Sequence, residues 1–534
     1  MPHRLLPCLL ILTSHLSVAQ DAASLARQNG QLVNEGFNRC IRFVNAWMIH
    51  ADSTTGLIPR NLRESKDFWN AWDAAADNYP FMVMTASILM PEFFNGRALD
   101  MLKTERRLTA RIGTLPDTYS FTKKGFRNER IDTNQILFGA AEYMKDGLVP
   151  LTEWLGKSPW SDRMLEMLDD LPAILKIEQP IKGEWFGNSA TVEVHGDLMQ
   201  VLTRMYWFTK NPVYLDRAIQ LADHYLQNDR LPTEASSRLR IRDHGCEIIS
   251  GLCEVYLACS FARPEKRLQW KPQIHRMLDR ILEVGRNADG LFYDEINPQT
   301  GAVIASRIAD NFGYTLNAYY FIAQIDSVPA YREAVLKGLS ALNQHYRNVN
   351  WENGSADGYA DALEGALNLY NREPITSVAE WLDSQIRVLW NFQQPDGMIE
   401  GWHGDGNFAR TTLMYGLWKT QGVLPDRWQS DLMLGAVKQD NGIQLHVSAA
   451  SGWKGRLRFH TPRYRDQMGL PVDYPRINQF QEWFTVEPNQ TYKITFGETL
   501  TKVVNGRKLI RGIYMNTKEH SIVQVRCIKE AVEH

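Results

Sequence analysis

The sequence predicts a mainly α-helical protein, an (α/α) toroid of six or seven helical hairpins followed by a C-terminal antiparallel β-sandwich. Three observations predict it. Between about residue 30 and residue 420, one-faced amphipathic helices alternate with helices that are apolar nearly all round, as an outer and an inner layer require. The inner set repeats at a nearly constant step: Gly196 to Gly245 is 49 residues, Phe312 to Tyr359 is 47 and Tyr359 to Phe408 is 49. Beyond residue 424 the apolar period falls to two, with Gly, Pro and Asn between short runs.

Residues 1–19 read as a secretory signal: Arg4 in a short basic start, an apolar run from Leu5 to Leu12, then Ser17, Val18 and Ala19 before Gln20. The mature chain is therefore expected to be periplasmic or secreted. No later stretch approaches the roughly 20 apolar residues of a membrane helix, so membrane insertion is not expected. With 59 basic against 61 acidic residues and a net charge of −2, the chain offers no field for nucleic acid. After the signal, cysteines remain at 40, 246, 253, 259 and 527, an odd number without disulfide-framework spacing, and they are expected as buried thiols.

The toroid is assigned to residues 20–424. Its outer helices are expected at 213–227, 271–285, 330–346 and 375–392, each with charges on one stripe and leucine-type residues on the other. The inner helices are expected to open at 77–87, 132–144, 193–206, 243–256, 310–321, 357–370 and 404–417, each on a small polar cluster. A short β-hairpin around Asn297 and Pro298 fills the longer gap at 290–306. Residues 425–534 are assigned to the sandwich, on alternating runs at 443–449, 455–462, 482–488, 492–498 and 520–528.

Parallel inner helices gather their N-terminal ends at one opening, so the polar clusters share a site. A single Asp or Asn there is an ordinary helix cap. What exceeds capping is the company: Glu193, His195 and Asp197; Arg242, Asp243, His244 and Glu247; Asp310, Asn311 and Tyr314; Asp357, Tyr359 and Asp361; Trp402, His403, Asp405 and Arg410. Carboxylates with histidines and rings suit an oligosaccharide or polysaccharide, whose hydroxyls carboxylates grip and whose pyranose faces aromatics cover. Hydrolysis of a glycosidic bond needs two carboxyl groups, one protonated and one ionised. The acid/base candidates are Glu247, Asp310 and Asp357. Glu364, one turn beyond Asp361, is read as a structural acid. His195 and His244 are further catalytic candidates that can also bind substrate; Asp197, Tyr314 and His403 are binding candidates; Asn78, Arg242 and Arg410 can hold a carboxylate, and Tyr79, Tyr359 and Trp402 can stack. No cofactor motif is present, and the spacings do not form a tight transition-metal site, although scattered Asp and Asn oxygens suit calcium.

The ordered motifs EVHGDLMQ, RDHGCEIISGL, DGLFYDE, ADNFGY and ADGYADALEGAL, then GRLRFHTPRY, resemble bacterial toroidal glycan-degrading enzymes, and most of all glycoside hydrolase family 154. That resemblance implies exo-β-glucuronidase activity. The sandwich also looks like that of β-L-arabinofuranosidases with a cysteine nucleophile at zinc, but no second cysteine lies close enough to Cys246 in the sequence. The rival mechanism is β-elimination by a lyase or a uronic-acid dehydratase, for which Asn78, His195, His244, Tyr314 and Tyr359 would serve. A glycan-binding protein without catalysis is the third reading.

Overall fold

The computed structural model describes residues 6–177, 189–227 and 230–528, with the backbone alone over 6–21, 173–177 and 189–191. Residues 1–5 of the expected signal lie outside that range, and residues 6–19 run into the helix Leu6–Ile49.

Seven inner segments succeed one another: Ala71–Asn78 continuing as Tyr79–Leu89, Thr133–Glu142 continuing as Tyr143–Leu148, then Ser189–Thr209, Glu247–Ala262, Phe312–Asp326, Ala356–Arg372 and Asn407–Thr420. Each packs on the next, and the seventh packs back on the first, so the ring closes with seven. Burial separates the layers. All fourteen residues of Asn407–Thr420 are buried, whereas the outer helix Pro264–Val284 buries only Trp270, Ile274, Met277, Leu278 and Ile281. The expected outer helices appear as Pro212–Leu226, Pro264–Val284, Pro329–His345 and Thr376–Asn391. The first three start on proline, whose fixed φ and missing N–H suit the first helical position.

Glycine sets how closely inner helices approach. A Cβ on Gly313 would sit 2.4 Å from Gly365 Cα, and one on Gly196 would sit 2.4 Å from the Glu247 carbonyl carbon. The Gly- and Ala-rich composition is thus the condition for backbone-to-backbone packing. Contrary to the expectation that no later stretch is long and apolar enough to cross a membrane, the inner segment Asp243–Ala262 is. Here it is buried as a ring element.

The hairpin expected at 290–306 forms from Tyr293–Ile296 and Val303–Ile308. In the C-terminal region a five-stranded antiparallel sheet runs in the order Leu432–Gln439, Gly442–Ala449, Ile522–Cys527, Thr491–Phe496, Leu500–Asn505. A three-stranded sheet orders Ile513–Asn516, Lys454–Arg458, Leu424–Pro425. Both contribute to one apolar cluster that includes Leu434, Leu445, Leu457, Ile494, Met515 and Val525. The run at 482–488 forms no strand, only a bridge from Thr485 to His460. Its neighbourhood takes another path: between Phe459 and Val486 the chain enters the ring, where Met468, Leu470, Tyr474 and Phe480 join the helical core.

Candidate active site

A cavity of about 520 Å³ opens where the inner helices begin. Its walls carry eleven carboxyl side chains, Asp73, Asp77, Glu142, Asp146, Asp243, Glu247, Glu352, Asp357, Asp361, Glu400 and Asp405, against the cationic groups of Lys145, His244, His403 and Arg410. Trp72, Phe138, Phe392 and Trp402 supply the rings.

Two of the walls are π-helical. In Ala71–Asn78 and Tyr143–Leu148 the backbone bonds reach five residues back, the widened turn that commonly marks functional sites. The first places Asp73 and Asp77 on the cavity, and Asn70 anchors it by accepting from Ala74 N–H at 2.9 Å. The second places Lys145 and Asp146 there. Lys145 Nζ lies 2.8 Å from Asp146 and 2.5 Å from Glu247 Oε1, and Gln200 Nε2 donates to Glu247 Oε2 at 2.5 Å. Burial opposes its charge, but Asp146 and Glu247 together raise the Lys145 ammonium well above the usual lysine range. Glu247 is thereby fixed at the cavity floor by Lys145 and Gln200.

On the sixth inner helix Asp357 and Asp361 share a face, as four-residue spacing requires, and both line the cavity. Burial first, then the neighbouring carboxylates Asp405 and Glu352, push Asp357 up to about 7. Its Oδ1 accepts from Asn407 Nδ2 at 2.8 Å. Asp361 is likewise raised to about 7 by burial and by Asp357. It is the more constrained of the two, since its Oδ1 lies 2.7 Å from Arg410 Nη2 and 2.9 Å from the Tyr314 hydroxyl.

Asp243 has the opposite character. Burial alone would raise it, but His244, Arg240 and Arg242 hold it below the ordinary carboxylate range. Its backbone is left-handed at φ +51°, an unfavoured state for a non-glycine residue that Asp tolerates better than most. A second such stretch borders the cavity at Glu352 (φ +45°), Asn353 (+59°) and Gly354 (+82°). Strained backbone concentrates where side chains must be aimed.

The two lining histidines are cations. His244 stands 3.2 Å from Glu193, 3.4 Å from Glu142 and 3.3 Å from Asp243. Burial lowers it, yet Asp243 and Glu193 raise it to about 10. His403 lies 3.8 Å from Asp77 and 3.9 Å from Asp73, and these acids lift it against burial to about 9. The sets Asp73, Asp77, His403 and Glu142, Glu193, His244 each bring three ligand-type atoms within 4.8 Å of one another, so either can bridge a divalent cation once the imidazole gives up its proton.

Of the residues singled out from the sequence, Asp243, His244, Glu247, Asn311, Tyr314, Asp357, Asp361, Trp402, His403, Asp405 and Arg410 line the cavity. Others do not. His195 and Asp197 were expected at a helix start, but the helix begins at Ser189, and residues two apart then point to nearly opposite sides. His195 Nδ1 lies 2.9 Å from the Tyr225 hydroxyl on an outer helix, and burial pushes it down to about 3. Asp197 is buried below the cavity lining and is raised well above its usual range by burial. Asp310 is buried behind the wall, while Asn311 reaches the cavity. Asn78 is buried against Gly404, and the Tyr79 hydroxyl donates to Ala98 C=O at 2.8 Å, so neither reaches the cavity. Tyr359 packs on Phe392 and donates to Val349 C=O at 3.0 Å. Arg242 pairs with Asp294 at 3.5 Å outside the lining. Arg410 lines it but is consumed, by Asp361, Glu364 at 3.1 Å, Asn407 and Asn478. Asp77, Lys145, Asp146, Glu352 and Glu400 were missed; π-helical turns and left-handed loops leave no periodic signal.

No protein-family model matches the chain, and no curated protein matches it at a significant level. Solved structures do align with it. The α-1,6-mannanase GH76A of Salegentibacter sp. HEL1_6, an inactive variant with α-1,6-mannotetrose, is 12% identical over 73% of this chain and 98% of its own, with a TM-score of 0.41. Cellobiose 2-epimerase from Bacillus thermoamylovorans is 14% identical over 72% and 98%, at 0.40. Unsaturated glucuronyl hydrolase from Bacillus sp. GL1 is 12% identical over 54% and 86%, at 0.37. These proteins differ in chemistry.

Proposed function

We propose that the protein is an exo-acting glycoside hydrolase. The observation that carries the reading is a pair of lining carboxyl groups driven in opposite directions: Asp357, raised to about 7, and Asp243, held ionised by three cations. Opposed shifts of this kind support an acid and a base at one site. Asp357 protonates the leaving glycosidic oxygen. Asp243 works from the sugar's side, as base or nucleophile.

The exo mode rests on shape. The chain between Phe459 and Val486 occupies the ring interior below the cavity, so the site is a blind-ended pocket suited to a chain terminus. Trp402, 73% exposed at the rim with Arg60 over one face of its ring at 5.1 Å, offers its remaining exposed surface to the next sugar.

For the terminal sugar, the family-154 resemblance implies β-glucuronosyl. The described lining argues otherwise, because each of Lys145, His244, His403 and Arg410 already faces carboxylates and none is left for a uronate. An uncharged glycosyl terminus is the preferred substrate. β-Elimination loses its apparatus as well: Asn78, His195 and Tyr359 do not line the cavity, Tyr314 is tied to Asp361 and Glu364, and His244 is held protonated. On the reading of residues 1–19 as a signal, the enzyme works after export.

A panel of 4-nitrophenyl glycosides, neutral and β-glucuronide, tests the assignment. Release of nitrophenol from a neutral glycoside, abolished by D357N, is expected. Turnover of the glucuronide alone overturns the neutral-sugar reading, and turnover of none across pH 5–8 overturns the hydrolase.

A further inference from the structure

The segment that fills the ring interior does more than close it. Its polar groups bond to the inner helices one after another. Arg204 donates to Ile477 C=O at 3.0 Å, Tyr474 donates to Glu254 at 3.0 Å, and Asn368 donates to Arg476 C=O at 3.0 Å. Arg476, 1% exposed, makes a two-pronged pair with Glu153, and the Tyr474 ring packs 5.3 Å from Phe321. These contacts reach the third to the sixth inner helices and, through Glu153, the short helix that follows the second.

At its tip stands Asn478, 2% exposed with a left-handed backbone at φ +62°. Its amide is used at both ends: Nδ2 donates to Asp146 Oδ1 at 2.6 Å, and Oδ1 accepts from Arg410 Nη1 at 2.9 Å. Its own N–H donates to Glu364 at 2.5 Å. Asp146 is the partner of Lys145, which holds Glu247; Arg410 is the partner of Asp361. One buried amide thus joins the two halves of the cavity floor.

We propose that Asn478 is a positioning residue of the active site, supplied by the C-terminal region, that fixes Asp146 and Arg410 and through them Glu247 and Asp361. A side-chain amide suits the place, because it meets an acidic oxygen and a guanidinium together without adding charge. A merely space-filling plug would need only apolar contacts there. The proposal rests on the hydrolase reading for its kinetic consequence but not for its geometry.

Two variants test it. N478G keeps the left-handed backbone and removes the bridge; N368A removes a bond that holds the same segment but does not touch the floor. On the glycoside that the wild type cleaves, N478G is expected to lose about ten- to a hundredfold in kcat, as misplaced catalytic groups do, with KM within about threefold. Its pH profile should shift, because Asp361 loses a fixed guanidinium. N368A should keep the wild-type kcat and profile. Wild-type kinetics in N478G, or an equal loss in N368A, overturns the proposal. A crystal structure of N478G decides it without a substrate, by displacement of Arg410 or Asp146 of more than about 0.5 Å. Unmoved side chains overturn it even if no glycoside is cleaved, an outcome that would separately refute the hydrolase. Should N478G not fold, N478D keeps the shape while setting a carboxylate against Asp146, and the same kinetic loss is expected.

Discussion

Replacing Asp357 by Asn should remove activity and stabilise the protein, with a pH dependence fixed in advance. Burial and the Asp405 and Glu352 carboxylates raise this acid from an ordinary 3.8 to about 7. An acid raised on folding destabilises the native state wherever the unfolded chain has lost its proton. The penalty is absent below pH 3.8, grows as pH rises, and is complete above about 7. At about 1.4 kcal/mol per pH unit it amounts to roughly 2 kcal/mol at pH 5 and roughly 4 kcal/mol at pH 8, as an upper bound. Asn carries no such penalty and still accepts from Asn407. D357N should therefore melt above the wild type, by a margin larger at pH 8 than at pH 5, while kcat falls about 10²- to 10⁴-fold for lack of a proton donor. Thermal unfolding at the two pH values, paired with initial rates, reads both effects. Activity within tenfold of wild type, or a melting margin that shrinks toward pH 8, refutes the reasoning.

Three further outcomes follow from the same geometry. His244 is raised on folding to about 10, so the stability it adds is full below its unfolded value near 6.5 and fades as pH climbs through 10; H244Q should lose most in unfolding experiments at pH 6 and little at pH 10. W402A should raise KM about three- to tenfold with kcat unchanged, the loss of one ring contact at the rim, and steady-state kinetics on a disaccharide will show it. G313A forces a Cβ to 2.4 Å from Gly365 Cα and should cost about 1–3 kcal/mol or more in denaturant unfolding, since two inner helices must separate.

Much of the fold was legible because it rests on burial periodicity. An inner helix such as Asn407–Thr420, buried all round, cannot resemble the one-faced Pro264–Val284 in composition, and the repeat of 47 to 49 residues exposed the hairpins. The plug was not legible. Arg476, Asn478 and Gln481 are polar residues buried by tertiary partners, and in sequence they resemble a surface loop. The site divided along the same line. Asp357 and Asp361 share a face by spacing alone, and both line the cavity. His195 and Asp197 lie off the lining because their helix begins at Ser189, before the expected start, which changes where their side chains point. Asp243 stood in the sequence in the cluster with Arg242, His244 and Glu247 but not among the acid/base candidates; its left-handed backbone and the three cations around it are tertiary features that carry no sequence signal.

The central claim, terminal hydrolysis in a blind-ended pocket, is tested most directly by mass spectrometry of a reducing-end-labelled oligosaccharide digested in ¹⁸O water. The account predicts stepwise loss of one non-reducing sugar at a time, with one ¹⁸O gained for each bond cleaved. Unsaturated products without added oxygen, or internal fragments from the first time points, would contradict it.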